Sequence, residues 1–344
     1  MGNAPWLYFF VSATGVIAAG MMIGRVSGEL GERLKLGRAW SGAVLLSFAT
    51  TLPELATIVT VAMRGEAGMA LGAVFGSVIF NLFILVLIDF IDPQSIYRKL
   101  SFAHIGTGLI GCMLLGLAIT GIALGHAGIG GAHGIGLGHV GIISIGIFCL
   151  YLLGQYAIFR AAQGRDDQSD HVKLKTTMDG WPLRKIILAY GGLAFVIVVA
   201  AFNLGVAAEG LASYYQLGAT FAGATLLGIV TSLPEITNAI TCARQREHDL
   251  AVGNILGANA MVLSIIFIVD LFYINGRFLY VVGQSDAIAS ISMAGLAIVM
   301  QSLAIGALAV RSQERVWHFG IVSVLLAILY GLSLIIAYHF SSSV

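Results

Sequence analysis

The chain has 344 residues, of which 58% are hydrophobic and only 10% charged, with a formal net charge of +1 and a mean hydropathy of +0.93. A soluble domain carries about a quarter charged residues, so too few charges exist to cover a water-facing surface, and lipid must be the solvent. The net charge says nothing about nucleic acid, and no basic run suggests it, so no nucleic-acid partner is expected. The absence of a phosphate-binding glycine loop or a nucleophile–base constellation argues against an enzyme and against ATP as the energy source.

The first apolar run, Trp6–Ile23, has no basic residue before it and reads as a retained membrane helix rather than a cleaved signal. Windows of about 20 mostly apolar residues predict ten spans, near 6–24, 38–63, 69–91, 102–123, 140–160, 185–207, 218–243, 249–273, 283–309 and 316–339. The second, third, seventh and eighth are interrupted by polar residues and glycine. Between the fourth and fifth, the glycine-rich stretch 124–139 carries His126, His133 and His139. Glycine supplies no fixed ligand geometry, so a flexible exposed loop is expected ahead of a metal site. The stretch 161–184, with Asp166, Asp167, Asp170, His171 and Lys173, reads as a hydrophilic linker between a first unit, 1–160, and a second, 185–344. Cys112, Cys149 and Cys242 stand alone in apolar stretches and read as packing residues.

Basic residues set the expected orientation. With the N-terminus outside, every lysine and arginine except Arg64 and Arg277 falls in a loop or linker on the inner side. That asymmetry follows the positive-inside rule. It predicts ten spans with both termini outside and the linker in the cytoplasm.

Shifting the sequence by 181 residues, the spacing from Glu54 to Glu235, aligns two regions without gaps. Leu36-Gly37 meets Leu217-Gly218, Gly42-Ala43 meets Gly223-Ala224, and Thr50 meets Thr231. Leu52-Pro53-Glu54 meets Leu233-Pro234-Glu235. Further on, Glu66 pairs with Glu247, Gly72 with Gly253, Gly76 with Gly257, and Asp89 with Asp270. The two copies are an odd number of spans apart, so they have opposite orientation in the bilayer. The expected fold is therefore an all-α polytopic membrane protein, ten transmembrane helices arranged as two inverted-topology five-helix repeats. Substrate sites of such folds lie at the repeat interface near the midplane.

Each repeat places a Pro-Glu pair and two adjacent hydroxyls in mid-span: Thr50, Thr51 and Glu54, then Thr231, Ser232 and Glu235. A charged side chain at membrane depth costs at least about 2.5 kcal/mol. Of five prolines, only Pro53 and Pro234 are mid-span. Each disrupts the helix at the carbonyl four residues earlier, at Ala49 and Val230, leaving neutral oxygens available to a cavity. Two carboxylates, paired hydroxyls and carbonyls form a hard-oxygen set suited to calcium. Ser77 and Asn81 share a helix face and add further oxygens. Gly72, Gly76, Gly253 and Gly257 have the spacing that lets helices pack closely. Asp89 and Asp270, near span ends, read as interfacial anchors reached by water.

The segments Ser47-Phe-Ala-Thr-Thr-Leu-Pro-Glu54 with Gly72-Ala-Val-Phe-Gly-Ser-Val-Ile-Phe-Asn81, and Gly228-Ile-Val-Thr-Ser-Leu-Pro-Glu235 with Gly253-Asn-Ile-Leu-Gly257, resemble the cation/calcium exchanger superfamily, particularly its prokaryotic sodium/calcium exchanger-like members. The resemblance covers both repeats. It implies an integral protein of a bacterial or archaeal plasma membrane that works by alternating access, with no cofactor and with inorganic cations and the bilayer as partners. Calcium would bind between Glu54 and Glu235, assisted by Thr50 and Thr231. Sodium would use Thr51, Ser232, Ser77 and Asn81, with carbonyls near Ser47 and Gly228. The chain departs from the family where the second repeat holds Ala258 and Val262 in place of a serine and an acid or amide. Ala49 and Val230 likewise stand where a glycine is usual. The expected activity is calcium antiport driven by sodium, with a calcium/proton exchanger as the alternative and a passive channel behind both.

The orientation is testable by labelling single cysteines placed at Gln168 and Gly130 in sealed cells with an impermeant reagent. Reaction at 130 and protection at 168 are expected; the reverse pattern would overturn the orientation.

Overall fold

A computed structural model describes residues 5–33, 47–91, 96–98, 100–129, 135–163, 180–244, 248–312, 315–316 and 319–341. In chain order the helices are α1 (Pro5–Arg33), α2 (Ser47–Met63), α3 (Ala67–Ile91), α4 (Ala103–His126), α5 (Ile142–Gln163), α6 (Leu183–Tyr215), α7 (Ala219–Ala222), α8 (Leu233–Arg244), α9 (His248–Phe272), α10 (Gln284–Ala309) and α11 (Ile321–Phe340). A π-helical stretch, Gly223–Ile229, joins α7 towards α8. Two antiparallel pairs of two-residue strands interrupt the helical pattern. One pairs β1 (Gly136–Leu137) with β2 (Val140–Gly141), the other β3 (Arg315–Val316) with β4 (Phe319–Gly320).

Among the described residues, seven helices are long and apolar enough to cross a bilayer, or eight if the bent α7–α8 unit counts as one span. Two shorter apolar helices, Thr50–Met63 and Ile142–Ile158, occupy the predicted second and fifth spans. Residues 38–46 of the predicted second span lie outside the described residues, as do most of the predicted linker and His133. Several helices overrun their predicted ends: α1 continues to Arg33 and α6 to Tyr215.

The apolar faces sort the helices. α3 is hydrophobic all round, and nearly every residue from Ala67 to Asp89 is buried, as an all-apolar helix inside a larger protein should be. α6 also lacks a strong polar face, yet most of it is exposed, because its solvent is lipid rather than neighbouring helices. The contacts repeat between the two halves. α1 packs along α6, α3 against α9, and α4 along α10. The contact of α2 with α9 has its counterpart in α3 with the π segment and α8. α3 with α10 matches α9 with α4, and α3 with α11 matches α9 with α5.

Two aspartates tie these halves together, and here the expectation of water-facing anchors is corrected. Asp89 and Asp270 are fully buried. Asp89 accepts hydrogen bonds from Gly320 N (2.8 Å) and Ser323 Oγ (2.7 Å) at the start of α11, and from Ile96 N (3.3 Å). Asp270 accepts from Gly141 N (2.8 Å) at the start of α5 and from Phe278 N (2.7 Å). Each carboxylate thus occupies the positive end of a helix from the other half, where a negative charge is stabilised. The glycines allow the approach: a Cβ on Gly320 would lie 3.0 Å from Asp89 Oδ2, and one on Gly141 3.3 Å from Asp270 Oδ2. Arg277, assigned by its position to an outer loop, is buried there and donates from Nη2 to Gly138 O (3.1 Å).

Asp89→Ala and Asp270→Ala should each lower the thermal unfolding midpoint in detergent, since a hydrogen bond to a charged group contributes about 1.5–3 kcal/mol. Unchanged midpoints in both variants would show that these caps do not hold the halves together.

Candidate cation-binding site

The two Pro-Glu motifs produce two different local structures. In α2, Pro53 sits inside a continuous helix, and Thr57 Oγ1 donates to Pro53 O (2.7 Å). In the second copy the chain bends by 44° between Ala219–Ile229 and Leu233–Arg244. Pro234 falls in the first turn of α8, where its missing N–H costs least. The π-helical stretch before it widens the helix, a feature common at functional sites. Thr231 Oγ1 donates to Leu227 O (2.9 Å), supplying one backbone acceptor beside the break. Both prolines close on α1: a Cβ on Gly20 would lie 3.0 Å from Pro234 Cγ and 3.5 Å from Pro53 Cγ. The two prolines therefore approach each other across a single small residue.

The glutamates meet in the interior. Glu54 and Glu235 are both completely buried, and their charges are near enough to oppose each other. Ser232 Oγ donates to Glu54 Oε1 (3.2 Å), joining the hydroxyl pair of the second half to the carboxylate of the first. Among the described residues, Glu54 Oε2, both Glu235 carboxylate oxygens and Thr51 Oγ1 are buried without a hydrogen-bond partner. Thr50 and Thr231 are buried with them. Buried polar atoms normally find partners, so a group of acceptors left open together is the arrangement that a cation satisfies.

α3 enters this region by backbone contact. A Cβ on Gly72 would lie 2.1 Å from Thr220 O, and one on Gly76 2.4 Å from Ala224 Cα. From the other side, a Cβ on Gly223 would lie 2.0 Å from Met69 O, and one on Gly228 2.9 Å from Ser77 N. Only glycine permits this approach, so the predicted packing role of Gly72 and Gly76 is met. It brings Ser77 Oγ to 3.4 Å from Gly228 O. Asn81 is fully buried, and neither polar atom of its amide has a partner among the described residues. The second half differs. A Cβ on Gly253 would lie 3.1 Å from His104 Cε1, and one on Gly257 would meet no described atom beyond its own helix within 4 Å. Ala258 and Val262 are buried and contribute no side-chain oxygen. Ser47 opens α2, but its side chain lies outside the described part.

Sequence reasoning missed Asn259. Alignment by the 181-residue shift directs attention to position 258 and finds alanine, although an amide stands one residue on. Asn259 is fully buried, its Nδ2 donates to Val78 O (3.4 Å), and its Oδ1 has no partner among the described residues.

Charged groups gather at the helix ends instead. Arg64 forms an ion pair with Glu209 beyond α2. Nearby, partial burial and then the charges of Glu209 and Asp286 push the Glu66 carboxyl above its ordinary range, against the opposing pull of Arg64. At the opposite end of α3, His104 Nε2 lies 2.9 Å from Asp249 Oδ1. The Ser101 N–H donates to the same oxygen at 2.7 Å. A cavity of about 560 Å³ between α2, α6 and α9 is lined mainly by apolar side chains such as Leu52, Leu55, Val59, Phe202 and Phe272. None of the predicted cation residues lines it.

Two buried carboxylates, each following a proline and related by a repeat, call for comparison with known transporters. The profile of the family described as sodium/calcium exchanger protein matches the chain twice, over residues 4–157 and 185–339. The chain belongs to this family. It is an integral membrane transporter of the cation/calcium exchanger type. The inner membrane protein YrbG of Escherichia coli (strain K12) is 27% identical over 234 residues, spanning 65% of this chain and 66% of that protein, just under two thirds of its length. Among solved structures, the H+/Ca2+ exchanger CAX superposes with a TM-score of 0.67 at 13% identity, covering 97% of this chain and 87% of that one. The sodium-calcium exchanger NCX_Mj superposes with a TM-score of 0.60 at 17% identity, covering 96% and 97%. At these identities the superpositions establish the shared fold.

Glu54→Gln and Glu235→Gln should each weaken calcium binding to the purified exchanger by at least about thirtyfold, the lower range for losing one partner of a buried charge pair. The variants should retain a monodisperse folded state. Calorimetric titration measures this, and wild-type affinity in either variant would remove that glutamate from the site.

Proposed function

We propose that this exchanger is a secondary antiporter that moves calcium, or a similar divalent cation, across the membrane in exchange for sodium. The observation that carries this reading is the burial of both Glu54 and Glu235, with Ser232 of the second motif donating to Glu54 of the first. Two acidic groups at membrane depth are tolerated when a cation or protons neutralise them. One divalent ion matches the two negative charges, and oxygen ligands suit its hardness. In this reading Glu54, Glu235, Thr50 and Thr231 hold calcium. Thr51, Ser232, Ser77 and Asn81, with the carbonyls near Ser47 and Gly228, serve sodium.

The ten-span arrangement belongs to the same proposal. Two five-helix repeats, 1–160 and 185–344, lie in inverted orientation about the cytoplasmic linker 161–184, with both termini outside. The paired family match and the repeated helix contacts support it. Alternating access then follows from a site built by both repeats, each able to tilt against the other while the ligands stay near the midplane. No cofactor is required, because the ion gradients supply the free energy.

Proton coupling is the second reading. It is favoured by the missing oxygens at Ala258 and Val262, since two protons need only the glutamates, whereas sodium needs several neutral oxygens at once. The solved relatives named for proton/calcium and for sodium/calcium exchange both share the fold. Calcium uptake into proteoliposomes under separate sodium and proton gradients decides between the two. Sodium-driven uptake is expected, and Ala258→Ser with Val262→Asn should increase it. Uptake that follows the pH gradient and ignores sodium would establish proton coupling instead.

A further inference from the structure

We infer that Asn259 supplies the second repeat's neutral oxygen to the cation site, in place of the side chains missing at positions 258 and 262. This inference rests on the divalent-binding reading above and adds a ligand to it. Ala258 and Val262 occupy the positions related to Ser77 and Asn81, and both are buried and apolar. Asn259 stands one residue further round the helix, where the first repeat has Val78. The exchange is reciprocal: each half has an amide in this segment, Asn81 in one and Asn259 in the other, at different registers.

Geometry places Asn259 against the turn of α3 that carries Ser77 and leads to Asn81. Its Nδ2 donates to the carbonyl of Val78 at 3.4 Å. Val78 is its own repeat partner, 181 residues earlier, so the contact lies close to the axis that relates the halves. Glu54 and Glu235 are likewise repeat partners that sense each other's charge, so they too flank that axis. Val78 follows Ser77, whose hydroxyl faces Gly228 O, and precedes Asn81 by less than one helical turn. α9, which carries Asn259, packs against both α2 and α3.

The chemistry of the side chain completes the argument. Once Nδ2 is engaged with Val78 O, the planar amide has its Oδ1 fixed in direction, and that oxygen is fully buried without a donor. A buried carbonyl oxygen without a donor destabilises the fold. A hard cation removes that cost, because amide oxygens are ordinary calcium ligands. The Nδ2 bond then acts as the anchor that aims the oxygen, much as outer hydrogen bonds orient metal ligands.

Calcium titration of the purified full chain, without sodium, compares wild type with Asn259→Ala, Asn259→Asp and Glu54→Gln. If Oδ1 is a ligand, Asn259→Ala weakens calcium binding by about tenfold. Asn259→Asp, which keeps an oxygen but loses the Nδ2 donor, then binds at least as tightly as wild type. Equal weakening in Ala and Asp would show that only the Val78 bond matters, and would overturn the inference. So would wild-type affinity in Asn259→Ala; loss of binding in Glu54→Gln would meanwhile leave the divalent reading intact. If Asn259→Ala does not fold, Asn259→Asp decides alone: retained affinity supports the oxygen ligand and lost affinity refutes it. A wild type that binds no calcium would overturn both readings together.

Discussion

Two carboxyl groups held together away from water set the terms for the rest of this protein. Glu54 and Glu235 are fully buried and oppose each other's charge, a combination that destabilises any fold unless something compensates it. The surrounding chemistry provides oxygens, not cations: hydroxyls from both motifs, the Gly228 carbonyl and the Asn81 amide. Among the described residues, the ion pairs lie at helix ends, at Arg64–Glu209 and His104–Asp249. The interior is therefore electrostatically incomplete as a protein alone, which is the condition for a transporter that must bind its cargo and then release it.

Assembling such a centre requires backbones to come closer than side chains ordinarily permit. α3 meets α7 at Gly72 and the π-helical stretch at Gly76, Gly223 and Gly228, where a Cβ on any one would collide with the opposing backbone. That contact brings Ser77 to Gly228 O. Further out, Asp89 and Asp270 each hold the first turn of a helix from the other half. Close packing thus positions the ligands, and the two buried caps keep the supporting helices attached to them. The same aspartates explain the short strand pairs, whose last residues, Gly141 and Gly320, present their N–H groups to the carboxylates.

The halves are related without being equal. The second Pro-Glu motif bends by 44° behind a π-helical segment, whereas Pro53 lies inside a helix described from Ser47. Ser77 and Asn81 face Ala258 and Val262 across the repeat, and Asn259 faces Val78. A divalent ion needs the carboxylates above all, and these are duplicated. A monovalent ion depends more on neutral oxygens, and these are where the copies diverge. Under the proposed reading, the divergence falls on the residues assigned to the coupling ion rather than on those assigned to the divalent cargo.

The sequence alone determined the solvent, the repeat and the residues with chemistry to offer. Few charges force a lipid environment, and a proline and an acid recurring mid-span at a fixed offset are too costly in lipid to be incidental. The family resemblance was carried by those same residues. Tertiary structure decided what periodicity cannot encode. Asp89 and Asp270 look like span-end anchors because their partners, Gly320 and Gly141, are more than a hundred residues away in sequence. Asn259 escaped notice because repeat alignment compares residues at one register, while the helix surface offers a neighbouring residue an alternative approach to the same space. Gly20 carries no motif, yet it separates the two prolines. Sequence names which groups are expensive to bury; only the packed helices show which of them meet, because that depends on contacts between segments that composition and spacing treat as independent.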